Sequence, residues 1–371
     1  MANVSSSNGL EKYPKLRFPQ FSNAYTQAVL GDVFEYERPD AYIVSSEQYS
    51  DIYPTPVLTA NQAFILGYTN EEHGIYNKGE VILFDDFTCD TKFANFPFKV
   101  KSSAMKLLRT KNGIPISYAY ELLRYINYKP EGHARHWISI MQPLEVWLPQ
   151  IDEQMKVGEF LAKITEKIDK QKSLIELLKK YKRGVVKAIF SGKLNLSAEY
   201  PFEIWENKAI CECLKYEQPQ KYIVATEKYD DSFTTPVLTA NKGFILGYTD
   251  EQQGIYDKGD VIIYDDFTMD MKYVTFNFKV KSSTIKMLTP TQENDLYFIY
   301  SLLQSLELQP EGHQRSYISK VEPMIVQVPP YELQLQISEF LKNIDIRVVS
   351  AEKQLALLVT QKQGLMQGLF A

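Results

Sequence analysis

The chain has 371 residues, of which 44% are hydrophobic and 23% charged, a composition typical of a globular protein with two or three domains. It has no apolar run of membrane-spanning length and its first residues are polar, so we expect a cytoplasmic protein without a membrane partner. The formal net charge of −5 does not by itself favour nucleic acid, but residues 151–193 hold eleven Lys or Arg against six Asp or Glu. The three cysteines lack the paired spacing of a zinc site, and we predict no metal.

Residues 1–148 predict a short tail followed by a β-rich domain. Residues 1–12 are rich in Ser and Asn, and we expect them to be disordered. Short β-rich runs between turn residues predict strands at 42–44, 56–58, 63–68, 79–84 and 96–100. Tyr118, Leu122 and Tyr125 share one helical face, which predicts a helix from Ser117 to Tyr125. Residues 137–146 are then expected to be extended.

Residues 149–194 predict one long helix. Apolar residues recur at both seam positions of a heptad for five heptads, with Lys and Glu on the other faces, which is typical of a coiled coil. The part from 154 to 189 would span roughly 54 Å at about 1.5 Å per residue.

The first half of the chain returns 180 residues later. Between 36–108 and 216–288, 45 of 73 positions are identical without insertion or deletion. This repeat predicts a second β-rich domain at 195–328 and a second long helix at 329–371. The predicted seam of the two helices contains Leu161, Ile164, Ile168, Ile175, Leu178, Val185, Leu341, Ile344, Val348, Leu355, Leu358 and Leu365.

The size of the second domain predicts how the helices pair. About 135 residues give a diameter of roughly 37 Å, too small to carry the chain back along the first helix. If the seams pair within the chain, they must therefore pair antiparallel. We predict an α/β (α+β) fold: two similar mixed β-rich domains separated by a two-helix antiparallel coiled coil, with pseudo-two-fold symmetry. Such an arrangement suits duplex DNA with two half-sites at a fixed spacing.

Both helices carry a family resemblance at their ends. Pro149-Gln150-Ile151-Asp152-Glu153-Gln154 and Lys182-Arg183-Gly184-Val185 in the first helix, with Glu332-Leu333-Gln334 and Ile344-Asp345 in the second, resemble the conserved helices in the DNA-specificity (S) subunits of type I restriction-modification systems. The order of domain, helix, domain and helix extends the resemblance over nearly the whole chain. Gln150 departs from the family, which often has a second Pro there.

The resemblance implies that each domain is a target-recognition domain reading half of a bipartite site in double-stranded DNA. The helices would set the gap and dock two methyltransferase subunits, which methylate adenine with S-adenosylmethionine. Restriction (translocase-nuclease) subunits using ATP and magnesium would join them. This chain would hold no cofactor and no catalytic residue. Its lack of a Gly-rich phosphate loop and of an Asn/Asp-Pro-Pro-aromatic motif agrees with that.

Two alternatives to this function stay open at the sequence level: a specificity subunit for a fused nuclease-methyltransferase, and a non-catalytic scaffold of two binding modules. The near-identity of the two domains also predicts that the DNA site approaches an interrupted palindrome.

Polar and basic residues on predicted loops are the candidates for DNA contact, since phosphates need cations and base edges need donors and acceptors. In the first domain they are Thr59, Asn61, Tyr76, Lys78, Lys92, Lys101, Ser102, Ser103, Arg135 and His136. Their counterparts are Thr239, Asn241, Tyr256, Lys258, Lys272, Lys281, Ser282, Ser283, Arg315 and Ser316.

Asp85-Asp86 with Lys92 could suggest a metal-dependent nuclease, but the Glu/Asp-x-Lys half of such a site is missing from both copies. We therefore predict a turn-capping or structural role for the two aspartates. His133 recurs as His313, whereas His73 and His136 are replaced in the repeat, which favours a loop histidine over a catalytic one.

Overall fold

The computed structural model describes residues 12–60, 63–132, 134–241, 243–291, 293–310 and 314–370. The expected disordered tail, except for Lys12, lies outside these residues. The chain forms two compact units, and each unit is described by itself here. Unit 1 contains the chain up to Ser173 together with the residues from Lys353 onward, and unit 2 is the continuous segment Leu174–Glu352.

Unit 1 contains three small sheets. Its strands are β1 (Thr26–Val29), β2 (Phe34–Glu37), β3 (Thr55–Leu58), β4 (Ile65–Thr69), β5 (Val81–Asp85), β6 (Thr91–Ala94), β7 (Lys99–Val100), β8 (Met105–Thr110) and β9 (Glu145–Leu148). An antiparallel sheet has the order β2-β8-β5-β6, and β1 pairs with β9. In the third sheet β3 lies between β4, which is antiparallel to it, and β7, which is parallel.

The helices of unit 1 close this core. Helix α1 (Leu30–Val33) is a single turn, and α2 (Ile116–Ile126) confirms the helix predicted from residue 117 to residue 125. Every residue of β5 is buried, because this apolar strand lies inside its sheet and is covered on both faces. The first half of helix α3 (Ile151–Phe190) and the last half of helix α6 (Tyr331–Leu369) complete the unit.

Unit 2 repeats this arrangement. Its strands are β10 (Glu206–Ala209), β11 (Leu214–Glu217), β12 (Thr235–Leu238), β13 (Ile245–Thr249), β14 (Val261–Asp265), β15 (Met271–Val274), β16 (Lys279–Val280), β17 (Ile285–Pro290) and β18 (Ile325–Val328). The sheets have the orders β11-β17-β14-β15, β13-β12-β16 and β10-β18. Helices α4 (Ile210–Cys213) and α5 (Leu296–Ser305) take the places of α1 and α2.

Two local predictions differ from the structure. Residues 42–44 form no strand: a 3₁₀ turn covers Asp40–Tyr42, and Ile43 makes only an isolated bridge to Val100. Residues 137–146 are not extended throughout, because Trp137–Met141 form a π-helical turn before β9 begins. The first residue of that turn makes a tertiary contact, because Asp86 accepts a hydrogen bond from the backbone N–H of Trp137 at 2.8 Å.

The long helices run antiparallel where they pair. In unit 2, Lys179 forms an ion pair with Glu352 and Lys182 with Asp345, so the residue number falls on α6 as it rises on α3. In unit 1, Lys362 of α6 donates to Thr165 of α3. All twelve seam residues are buried or half-buried. The fold class is therefore confirmed as mixed α and β, with two similar β-rich domains and antiparallel helices.

Helix α3 ends four residues before the predicted boundary of 194. Gly192 adopts φ +70°, and a Cβ on it would lie 2.7 Å from the ring of Phe202, so only glycine fits this reversal. No helix in the described part of the chain has the length and apolar character that crossing a membrane requires.

Candidate nucleic-acid interface

Asp85 and Asp86, at the end of β5, have structural roles. The Asp85 carboxylate accepts hydrogen bonds at 2.9 Å from the backbone N–H groups of Phe87 and Thr88, which caps the turn between β5 and β6. Asp265 does the same for Phe267 and Thr268 in unit 2. No cluster of His, Cys, Asp or Glu among the described residues is arranged to hold a metal ion.

Asp86 is the centre of a buried ionic cluster in unit 1. Its carboxylate lies 3.0 Å from Lys106 Nζ and 3.3 Å from Arg135 Nη1, and it also accepts from the backbone of His136 and Trp137. Burial alone would raise the pKa of Asp86, but the Trp137 N–H and Lys106 outweigh it, and the pKa lies below its ordinary value. The carboxylate is therefore charged at neutral pH.

One aspartate serves two cations in this cluster, so Asp86, Lys106 and Arg135 together carry a net charge of +1. Lys106 is buried, whereas the Arg135 side chain is 48% exposed. Arg135 also donates to the Ser103 carbonyl at 3.1 Å and lies over the ring of Phe87. The exposed guanidinium is thus held in one place, and it carries the uncompensated charge toward solvent.

Unit 2 contains the same cluster around Asp266. Lys286 Nζ and Arg315 Nη1 both lie 3.3 Å from its carboxylate, and Arg315 donates to the Ser283 carbonyl at 3.3 Å. Arg315 is 50% exposed. Each unit therefore has one fixed, exposed arginine near the end of its buried strand, β5 in unit 1 and β14 in unit 2.

A cleft of about 510 Å³ lies beside the cluster in unit 1. It is lined by Arg38, Pro39, Asp40, Asp86, Ser103, Lys106, Arg135, Ile138 and Ser139. We call it the Arg38 cleft. Ile138 belongs to the π-helical turn and is 58% exposed, and its counterpart Ile318 is 53% exposed. Single π-helical turns occur frequently at functional sites.

Two of the predicted lysines in each unit are already paired with carboxylates. Lys78 Nζ lies 2.8 Å from Glu37, which raises the pKa of Lys78 to about 12, and Lys258 makes the same contact with Glu217. Lys101 pairs with Glu47, and Lys281 pairs with Glu227. These lysines are at the surface, but phosphate would have to displace a glutamate to reach them.

Two of the predicted contact positions carry side chains that are buried in both units. Tyr76 is 1% exposed and stacks on Phe98 with ring centroids 4.9 Å apart, and Tyr256 is equally buried. His136 and Ser316 are each 4% exposed. These four side chains do not lie at the surface of the folded chain.

The exchange of His136 for Ser316 is a change in core packing. The Ser316 hydroxyl donates to the Asp266 carbonyl and contacts the Tyr264 hydroxyl at 2.8 Å. Unit 1 has Phe84 in place of Tyr264 and the larger imidazole in place of the serine, with His136 Nδ1 3.2 Å from the Asp86 carbonyl. The two positions change together inside the core.

The remaining candidates divide between surface and interior. Thr59 is buried at the end of the β3–β4 hairpin, against the prediction, and Asn61 lies outside the described residues. Ser103 and Ser283 are exposed. The half-buried candidates are Lys92, Ser102, Thr239, Asn241, Lys272 and Ser282.

The structure thus brings Ser103 and Arg135 together at one cleft. It adds Arg38, Asp40 and Ile138, which sequence reasoning missed. Arg38 and Asp40 flank Pro39 immediately after a strand, and that turn-like position was the available signal.

No family model matches this chain. Over 147 residues the chain is 41% identical to the specificity subunit of the type I restriction enzyme EcoR124I/EcoR124II of Escherichia coli. The match covers 38% of this chain and 36% of that protein, so the chain matches about a third of the length of this curated relative.

The fold is shared over almost the entire chain. The S subunit of a type I restriction-modification system from M. genitalium superposes with a TM-score of 0.69 at 16% identity, over 97% of this chain and 99% of that one. A chain from a structure of type I restriction-modification system assembly and conformational transition gives a TM-score of 0.50 at 14% identity, over 93% of this chain and 97% of that one. These two likenesses are of fold.

Proposed function

We propose that this chain, which resembles the specificity subunits of type I restriction-modification systems in sequence and shares their fold, is the DNA-reading subunit of such a complex. Each β-rich domain reads one half of a bipartite site in double-stranded DNA, and the two halves form a nearly palindromic, interrupted sequence. The chain carries out no chemistry itself. The single observation that supports this most directly is the duplication, because each copy pairs a β-rich domain with one long helix.

The DNA-facing part of each unit is the surface around its exposed arginine. Arg135 and Arg315 are fixed by a buried aspartate and by a backbone carbonyl, so little side-chain entropy is lost when they bind. The cluster keeps a net positive charge where other surface lysines are neutralised. A fixed guanidinium is the group best suited to phosphate or to the guanine edge.

The long helices provide two equivalent places for partner subunits. Leu177 on α3 and Leu357 on α6 occupy the same position in the repeat, and they are 64% and 71% exposed. Both lie outside the seam. In unit 2, Leu174 and Tyr181 extend the exposed apolar face of α3 around Leu177. Two equivalent exposed leucines fit the docking of two copies of one subunit, the adenine methyltransferase.

The partners supply the cofactors in this proposal. S-adenosylmethionine binds to the methyltransferase subunits, and ATP and magnesium bind to restriction subunits where these join the complex. The residues of this chain position the DNA and the partners.

The test is a map of methylated adenines. The chain is produced with its cognate methyltransferase subunit in cells without other restriction-modification systems, and N6-methyladenine is located by single-molecule sequencing. We expect one bipartite motif with methylated adenine in both halves, and none when either subunit is omitted. Methylation that is independent of this chain, or that follows a continuous motif, would contradict the proposal.

A further inference from the structure

Two of the residues that line the Arg38 cleft differ from the equivalent residues of unit 2. Nine residues line it, and seven of them are identical at the equivalent positions of unit 2. The two that differ are Arg38, replaced by Gln218, and Asp40, replaced by Gln220. The frame of the cleft is therefore common to both units, and the change is confined to two side chains.

No stabilising contact among the described residues explains why Arg38 and Asp40 are replaced by glutamine in unit 2. Arg38 and Asp40 are both exposed, as are Gln218 and Gln220. Within the described part of the chain, Arg38 and Asp40 form no ion pair with each other or with another residue. Pro39 between them is buried and is retained as the buried Pro219, so in each unit the two side chains flank a buried proline at the start of a 3₁₀ turn.

The chemistry of the four side chains matches the hydrogen-bonding patterns of different base pairs. Arginine binds the O6 and N7 acceptors of guanine with two hydrogen bonds, and aspartate accepts from the N4 amino group of cytosine. Glutamine binds the N6 and N7 atoms of adenine with two hydrogen bonds. The neighbouring exposed isoleucine, Ile138 or Ile318, is the type of apolar group that contacts the thymine methyl.

We propose that positions 38 and 40, with 218 and 220, determine how the two half-sites differ. The half-site read by unit 1 carries a G·C pair where the half-site read by unit 2 carries an A·T pair. The inference rests on the proposed function, since it assigns base reading to a surface of a specificity subunit. Two identical units would read an exact palindrome. Under this inference the DNA site departs from a palindrome at the base pairs that face the cleft.

The net charge helps to separate base reading from phosphate binding. Replacing Arg38 and Asp40 with two glutamines removes one positive and one negative charge, so the non-specific attraction to DNA changes little. A correct bidentate contact discriminates between bases by roughly 5- to 140-fold. The double exchange is therefore expected to change the sequence preference while leaving the overall affinity nearly constant.

The experiment exchanges the two pairs of residues in the assembled complex. The variants are R38Q/D40Q, which gives unit 1 the residues of unit 2, and the reciprocal Q218R/Q220D. Methylated adenines are mapped for each, and binding to DNA with G·C or A·T at the candidate base pair is measured with the purified complex. We expect R38Q/D40Q to convert the G·C pair of one half-site to A·T, and Q218R/Q220D to make the opposite change in the other half-site, with a preference of at least 5-fold.

The matched control is Glu72→Gln, which also changes an exposed acid to the amide found in unit 2, Gln252, but lies outside the cleft. The complex that contains this control variant should methylate the wild-type motif. All four positions in the two double variants are exposed, so the variants are expected to fold, and a melting curve of each complex checks this.

The possible results separate a failure of this inference from a failure of the proposed function. Wild-type half-sites that are already identical, or variants that methylate the unchanged wild-type motif, would overturn the inference while leaving the proposed function intact. An equal loss of binding to every DNA sequence by R38Q/D40Q would also overturn it, because that is the behaviour of a phosphate contact. A wild-type complex that directs no methylation would overturn both.

Discussion

Lys182 and Lys362 lie three heptads after Leu161 and Leu341, at the same seam position of α3 and α6. These two equivalent lysines are expected to differ greatly in their effect on stability. Lys362 is 4% exposed and lies 2.6 Å from Glu121 of α2, which is 2% exposed. Lys182 is the equivalent residue of the first repeat. It is 19% exposed, and its partner Asp345 is 37% exposed. The same residue type at the same seam position is therefore buried in unit 1 and partly exposed in unit 2.

Replacing Lys362 with Met leaves the buried Glu121 carboxyl without its lysine partner. Among the described residues, Thr165, at 2.9 Å, and Arg124, at 3.5 Å, remain in contact with it. Breaking a buried pair by removing one partner costs about 3–5 kcal/mol, and Arg124 places K362M at the lower end. K182M removes a partly exposed pair and should cost about 0–1 kcal/mol. Since whole domains are stable by about 5–15 kcal/mol, the first loss is large for unit 1.

Hydrogen exchange measured by mass spectrometry suits this comparison because the two units need not unfold together. A loss of 3 kcal/mol should speed exchange at the C-terminal end of α6 by roughly 140-fold in K362M, with less than about 5-fold change in the equivalent part of α3 in K182M. The double variant K362M/E121L should return near the wild-type rate, because an apolar pair replaces the buried ions. Equal effects of K362M and K182M, or no recovery in the double variant, would refute this reasoning.

Three other predictions follow from described contacts. The pKa of Asp86 is lowered in the folded chain, so its stabilising effect is fully present above the ordinary aspartate pKa of about 4 and is lost as the pH falls from there through the folded-state value. The urea midpoint of unit 1 should therefore fall more steeply below about pH 4 in the wild type than in D86N, and parallel curves would count against this. L177E and L357E should each remove one methyltransferase copy in native mass spectrometry, while Ile52→Glu, at a residue 87% exposed on a β-rich domain, keeps both; two copies bound to either leucine variant would exclude these docking positions. H136S should lower the melting temperature of unit 1 without changing the methylated motif, because His136 is buried, and a changed motif would show that it reaches DNA.

The succession of β-rich domains and long helices was predictable from the sequence because it depends on the repeat and on the heptad period. Leu161 and Leu341 are fully buried at the seam positions that the heptads predict, and the 180-residue offset recurs in strand order as well as in sequence. The helix at Ile116–Ile126 was predictable for the same reason, since its apolar face has a helical period.

The site was less predictable, because it depends on tertiary partners. Lys and Asp are almost never fully buried unless they are paired, and the sequence does not show that Lys106 and Asp86 are buried as partners. Trp137–Met141 was expected to be extended, but it forms a π-helical turn whose first N–H group donates to the distant Asp86 carboxylate. Tyr76 looks accessible until Phe98 and Tyr42 pack against it. A periodic pattern contains none of these contacts.

The composition of unit 1 from two distant parts of the chain has a consequence for the order in which the protein is made. Met366, Leu369 and Phe370 belong to the hydrophobic core that Leu30, Phe84 and Trp137 also form. At about 5–20 residues per second, the ribosome adds the 179 residues of unit 2 in roughly 10–40 s before it begins the last segment of unit 1. Unit 2 is continuous and can fold as it emerges, whereas the domain synthesised first keeps an open apolar surface until then. A chaperone that binds nascent chains would therefore find its target at the N-terminal domain, and premature termination would leave that domain without part of its core.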